Sequence, residues 1–353
     1  MTADPEPYCS IIVATRNRPG ALAGCLAAIC EFDYPHSQFE VIVVDDGGST
    51  PLAPLLEPIR DRFSVRLIVQ QHAGPGAARN TGAREAAGEL LVFTDDDCRP
   101  DSGWLRNLVD AHRVQPGSGL GGCTINAHPE NPYADVAQLV ITVGYTHNNR
   151  LPDDARFFAS NNLAVPRTDF FAVGCFDGAY MTSEDRDFCA RWVLTGRNLV
   201  YVQEALVRHA SALTLRRFWR QNVAYGRGAF RFHRDEALRT GRRVPIEPAF
   251  YSTLLRDACR GRSVAGAAAR LSLLAVWHIA NSLGFAAEWW RLRRARVDAR
   301  DGLHFGWSGA VSSTEFPNLL ERLDRMCGEL DPESGSARRG RSRRPARATQ
   351  EAE

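Results

Sequence analysis

Four short apolar segments, each ending in a polar cluster and each followed by a helix-like stretch, constrain this chain more than any other feature. They are Cys9–Thr15 (CSIIVAT), Phe39–Val44 (FEVIVV), Val65–Val69 (VRLIV) and Leu90–Thr94 (LLVFT). Segments this apolar on both faces, separated by helices, predict an α/β fold: a mainly parallel sheet with helices on both faces. The intervening pattern predicts a helix opening at Pro19 with Leu22, Leu26 and Ile29. A second, small-residue helix is expected from about Gly76 to Ala87, with Gly88 as its C-terminal cap. A third carries Trp104, Leu105, Leu108 and Val109, with Ser102 as its N-cap. Further helices are expected near 132–145 and from Glu184 to Thr195, closed by Gly196, and a strand at Leu199–Val202.

Open α/β sheets bind ligands at the carboxyl ends of their strands. Thr15-Arg16-Asn17, Asp45-Asp46-Gly47 and Asp95-Asp96-Asp97 fall there. Strand alternation would put Asp95 and Asp97 on one side and Asp96 on the other. Three adjacent carboxylates raise one another's pKa unless a cation is present, and an all-oxygen set suits Mg²⁺ or Mn²⁺. A ligand-free acidic turn is the alternative, and the position after an apolar strand favours the metal. Asp45-Asp46 can accept the imide N–H of a uracil or thymine, or can serve only as a turn with Gly47 and Gly48. Gly74-Pro75-Gly76, followed by Arg79, allows close backbone approach to a ligand and a cation for a phosphate or base. It is neither a P-loop nor a dinucleotide fingerprint. Taken alone, Ser183-Glu184-Asp185 reads as capping and dipole partners of a helix start.

Composition excludes some partners. All 43 basic residues are arginine and the net charge is +2. Residues 331–353 hold six arginines and four acids, so the body is near neutral, which argues against a nucleic-acid-binding face. The nine cysteines are odd in number and form no CxxC pair. They read as reduced core residues of a cytosolic protein. Met1–Tyr8 lacks the charged and apolar regions of a signal peptide.

Taken together, these blocks resemble glycosyltransferase family 2. CSIIVATRNRPGALAGCL is similar to the family's first strand and helix, and FEVIVVDDGGST to its second strand and acidic turn. GPGAARNTGAREAAGELLVFTDDDCRPDSGWL resembles its longest shared block, with the DxD motif. FFASNNLAVPRTDFFAVGCFD, SEDRDFCARWVLTGRNLVYV and VRH resemble its acceptor-side block. The match covers about residues 9–209 in family order. It implies a GT-A fold and an inverting transfer from a nucleotide-sugar donor, UDP-sugar favoured, to an acceptor hydroxyl. By resemblance, Thr15, Asp46 and Arg79 contact the nucleoside or phosphates and Asp95 lies near the ribose. Asp97 holds a divalent metal, Mn²⁺ or Mg²⁺, with Asp95 and His209 as further candidates, and Asp185 is the general base. Glu184 and Asn162 fall on the acceptor side. DDGGST carries one glycine more than the usual turn, and Cys98 stands where another acid is common. No QxxRW segment is present, which suggests one sugar per encounter.

These readings divide the chain into a GT-A nucleotide-sugar-binding and catalytic domain (1–212), a helical C-terminal region (213–330) and a disordered arginine-rich tail (331–353). The mix of aromatics and arginines in 213–234 reads as an amphipathic helix packed on the catalytic domain, or as one meeting acceptor or membrane. Residues 271–287 are apolar around His278 and Asn281, and Trp289-Trp290 with Arg291, Arg293, Arg294 and Arg296 follow. Such a segment suits peripheral contact with the inner face of the cell membrane, through 271–296, or a buried helix. The acceptor is expected in cell-surface or lipid-linked glycan synthesis. Two other functions compete: a sugar-phosphate nucleotidyltransferase, whose glycine-rich N-terminal loop is absent, and a non-catalytic scaffold, which intact Asp97 and Asp185 disfavour.

Overall fold

The computed structural model describes residues 6–151, 155–241 and 247–298, the last four as backbone only; residues 299–330 of the expected C-terminal region and all of 331–353 lie outside the described residues. In chain order the strands are β1 (Cys9–Thr15), β2 (Phe39–Asp46), β3 (Ser64–Gln70), β4 (Leu90–Asp95), β5 (Cys98–Pro100), β6 (Gly119–Asn126), β7 (Asn162–Pro166) and β8 (Leu199–His209). The helices are α1 (Pro19–Ile29), α2 (Ala53–Leu56), α3 (Pro75–Glu85), α4 (Trp104–Val114), α5 (Pro132–Asn148), α6 (Arg167–Val173), α7 (Glu184–Leu194), α8 (Leu215–Thr240), α9 (Pro248–Cys259) and α10 (Val264–Asp298).

One sheet runs β3-β2-β1-β4-β7-β6-β8-β5. Its first four strands are mutually parallel. β7 is antiparallel to both neighbours, β8 is parallel to β6, and β5 closes the edge antiparallel to β8. The period of two along each strand divides the core. Ile11, Val13, Val41, Val43, Leu90 and Val92 face α1 and α4. Ile12, Ile42, Val44, Leu91 and Phe93 face Ala78 and Ala83 of α3, Phe170 of α6, and Phe188 and Trp192 of α7. The expected sheet with helices on both faces is therefore the observed one.

Local expectations needed three corrections. α3 ends at Glu85 on an extended Ala86, so Gly88 is not its cap. A Cβ at Gly88 would lie 2.5 Å from the Ser10 nitrogen, so the glycine serves the close approach of two strands. α4 is preceded by Gly103 with no side-chain cap; the Ser102 carbonyl instead accepts the Asp33 N–H at 2.8 Å. The strand read as Leu199–Val202 runs on to His209, across an irregularity opposite Gly122/Cys123.

The last three helices pack with α5 around Val136, Val143, Phe218, Leu254, Ala258 and Leu274. α8 is the amphipathic helix foreseen for 213–234, burying Phe218, Trp219, Asn222, Gly226, Gly228 and Phe232 along one face. It crosses α10 where both helices carry glycine. A Cβ on Gly226 would lie 2.0 Å from the Asn281 carbonyl oxygen, and one on Gly284 equally close to that of Val223. Beyond the crossing, buried Glu288 accepts from Arg231 at 2.6 Å and Arg291 at 2.7 Å.

Candidate functional site

β4 stops at Asp95, and Asp96 and Asp97 form the turn into β5. The turn, rather than strand alternation, separates the three carboxylates. Asp96 is 0% exposed. It accepts the Thr15 hydroxyl at 2.6 Å and pairs with Arg18 at 2.6 Å. Burial pushes its carboxyl up to about 6, against the pull of Arg18 and Thr15. Asp95 and Asp97 stay partly open. Thr15, expected at the nucleotide, is buried with its hydroxyl committed to Asp96.

Asp97 faces two cations. One carboxylate oxygen accepts from Arg18 Nη1 at 2.9 Å, and the other lies 3.3 Å from His209 Nε2. Burial would raise the Asp97 carboxyl, yet the bond and charge of His209, with Arg18, hold it down at about 2. The same contact raises the imidazole against the effect of burial. The register of β8 causes the meeting, since His209 pairs with Cys98 of β5 and with Asn126 of β6. Asp97, Cys98 and His209 are the one group of potential metal ligands found among the described residues. Cys98 is fully buried and its thiol is raised well above its usual range, chiefly by burial, so it is a core side chain. The remaining carboxylate and imidazole are donors that a divalent cation would accept.

Asp46, at the end of β2, has all four acceptor positions filled. Gln70 Nε2 and the Ala73 N–H bind one oxygen at 2.7 and 2.8 Å; His72 Nδ1 and the Gly74 N–H bind the other at 2.7 and 2.9 Å. Burial opposes ionisation, but these donors lower its pKa. Asp46 thus fixes the Gly74 turn, where φ is +94°, at the start of α3. Its neighbour Asp45 accepts only the Gly48 N–H, at 2.8 Å.

Arg79, on α3, joins clusters far apart in sequence. Its two terminal nitrogens donate to Asp95 at 2.5 Å and to Glu184 at 2.7 Å. Burial works against the guanidinium charge, and the two carboxylates outweigh it and raise its pKa. Its Nε is buried without a partner. Glu184, the first residue of α7, is therefore tied to the donor-side acids. Asp185 beside it accepts from the Arg186 N–H at 2.7 Å and the Ser160 N–H at 3.2 Å, and stays partly exposed. Burial, then the Glu184 charge, raises its carboxyl to about 7, with Arg79 pulling the other way.

Asn162 does not join this cleft. It is fully buried, accepts Trp104 Nε1 at 2.8 Å and donates to the carbonyls of Cys123 and Ala205 at 3.0 and 2.9 Å. It locks β6, β7, β8 and α4 together. Sequence reasoning missed Arg18, which pairs with Asp96 and Asp97. Arg18 lies three residues after Thr15 in the TRNR run that was read only as a polar strand end.

Residues 10–178 match glycosyl transferase family 2. Among curated relatives, the chain is 36% identical to glycosyltransferase AglE of Haloferax volcanii, over 58% of this chain and 67% of that one. It is 28% identical to the pre-mycofactocin glycosyltransferase of Mycobacterium tuberculosis, over 62% of this chain and 46% of the relative. It thus spans two thirds of the first and less than half of the second. Among solved structures it resembles a mannosyltransferase from Pyrobaculum calidifontis, described in complex with GDP-Man and Mn²⁺ (TM-score 0.53, 17% identity, 95% of this chain and 89% of that one). TarS of S. aureus, residues 1–349, is similar too (TM-score 0.51, 15% identity, 90% and 91% covered). The sheet and its helices are of the GT-A kind, and the chain is a glycosyltransferase belonging to glycosyl transferase family 2.

Proposed function

We propose that this glycosyltransferase moves a sugar from a nucleoside-diphosphate donor, UDP-sugar foremost, to an acceptor hydroxyl with inversion at the anomeric carbon. One observation carries the reading: buried Arg79 ties the acidic turn at Asp95 to the start of α7 at Glu184. The two acidic clusters thereby share one cleft, although 105 positions separate Arg79 from Glu184. Asp97 and His209 would hold Mn²⁺ or Mg²⁺, which when bound neutralises charge on the departing diphosphate. Asp185 takes the proton as the acceptor oxygen bonds to the anomeric carbon and the bond to the diphosphate breaks. A group titrating at about 7 suits that task near neutral pH. The filled acceptor positions of Asp46 make it the anchor of the Gly74 turn, and Asp45 has open positions for a base imide. The acceptor belongs to cell-surface or lipid-linked glycan synthesis, a reading that the apolar outer face of α10 supports.

Calorimetry with UDP and Mn²⁺ tests the donor half. Asp97→Asn should abolish the metal-dependent part of UDP binding while leaving the fold intact by circular dichroism. Unchanged metal-dependent binding in this variant overturns the assignment. Hydrolysis of a UDP-sugar by the wild type distinguishes an active enzyme from a scaffold.

A further inference from the structure

α8 meets the acceptor side of the cleft at very close range. A Cβ on Gly228 would lie 2.3 Å from the Thr182 hydroxyl oxygen and 2.6 Å from that of Ser183, the residues just before Glu184 and Asp185. The Thr182 hydroxyl donates to the Ala224 carbonyl of α8 at 2.9 Å. Two more ties hold this loop: Tyr180 donates to Asp235 at 2.7 Å, and Arg231 donates to the Ala179 carbonyl. The face of α8 that carries Gly228 also carries Tyr225, three residues earlier, and Gln221, seven earlier. Helical side chains lean toward the N-terminus, so Tyr225 points away from the glycine contact toward Gln221, whose Nε2 donates to its hydroxyl oxygen at 2.7 Å.

Tyr225 is both crowded and open. Its ring is 44% exposed. Yet burial pushes its phenol up to about 12, the Gln221 bond opposes that, and the charges of Asp185, Asp95 and Glu184 add to it. Because Gly228 on this face touches the two residues that lead into Glu184 and Asp185, and Thr182 bonds to Ala224, Tyr225 stands beside the start of α7 while still meeting solvent. With Gln221 donating to its oxygen, the phenol O–H can in turn donate to a ligand.

We infer that Tyr225, braced by Gln221, is the platform on which the acceptor lies, and that the acceptor presents an uncharged sugar ring there. The inference rests on the transferase reading above. The C–H face of a pyranose packs on an aromatic ring, while a phenol and an amide beside it answer sugar hydroxyls. The local charge selects against an anion: Glu184 and Asp185 follow directly on the Thr182–Ser183 contact with α8, and the two terminal nitrogens of buried Arg79 are already engaged. A phosphate on the acceptor therefore sits away from this ring.

Saturation-transfer NMR with methyl glycosides of glucose, galactose, mannose and N-acetylglucosamine, on protein saturated with UDP and Mg²⁺, tests the platform. The wild type should bind at least one of them and reject glucose 6-phosphate. Tyr225→Ala should weaken that binding by about tenfold or more, and Tyr225→Phe by much less. UDP affinity should stay within about twofold in both, as no donor contact is lost. A wild type that binds UDP but no neutral glycoside overturns the inference, as does glycoside binding indifferent to Tyr225→Ala or a preference for the phosphate. Glycosides that bind through Tyr225 in a protein indifferent to UDP would refute the donor assignment and uphold the platform.

Discussion

If Asp185 takes the acceptor's proton, as proposed, the pH behaviour of the site follows its carboxyl, which burial and then the Glu184 charge raise to about 7. Asp185 is set by what faces it: Glu184 and Arg79, with Arg186, Tyr145, Cys189 and Tyr225 around them. A base works only when ionised, so turnover should rise with pH to a plateau above about 7 and fall below it. An unperturbed aspartate would place that limb near 4. Asp185→Asn should cost roughly 10²–10⁴-fold in turnover at unchanged UDP affinity. Near-normal turnover in this variant, or an acid limb at the ordinary aspartate pKa in the wild type, would remove Asp185 from the role. At this scale the sequence was legible where a motif names its residues: Arg79 meets Asp95 and Glu184, beside Asp185, and His209 meets Asp97. It misled at Asn162, because the SNN run gives no sign that its last amide faces inward to Trp104. Arg18 escaped notice because an arginine in a strand-end turn carries no period from which its partners can be read.

Helices that cross on glycine leave no room for a side chain, and the contact of α8 with α10 shows it. Gly226→Val should cost about 1–3 kcal/mol or more, because a Cβ there runs into the backbone of α10 rather than into a flexible side chain. Urea denaturation measures it, and a cost near zero would mean that the two helices are not joined at this point. The outer side of α10 makes a different prediction. Val264–Arg294 is long and apolar enough to cross a membrane by length and composition, and 11% of its apolar stretch is buried. Ile279 is exposed on it, and Arg293 and Arg294 lie over the rings of Trp289 and Trp290 at 5.2 and 5.3 Å. Lying flat on lipid would cover that face. The protein should sediment with anionic vesicles at low salt and release as salt rises. Ile279→Glu should sediment much less than the wild type; equal sedimentation of the two would assign this face to another contact. The first four strands were readable to within two residues at either end because they are apolar throughout. β8 was cut short in the reading because Gln203-Glu204 interrupts its apolar run, and only the register with β6 carries it on to His209.

For the molecule as a whole, the first question is which donor it takes. A ligand that binds only the folded state stabilises it by about 2.7 kcal/mol at a hundred times its Kd. Among UDP-, GDP- and dTDP-sugars with Mn²⁺, UDP-sugars should therefore raise the melting temperature most, and EDTA should erase the gain. A larger shift with GDP-sugars would reassign the base and leave the transferase standing. The division of labour in the chain has a further consequence. The family match of residues 10–178 stops one residue before Ala179, whose carbonyl receives Arg231. Arg231 is in turn clasped by Glu288 of the last helix. If Asp185 and Tyr225 serve the acceptor as proposed, a substitution on the last helix could shift which acceptor is taken, through Arg231 and the loop at Ala179, without touching the donor residues.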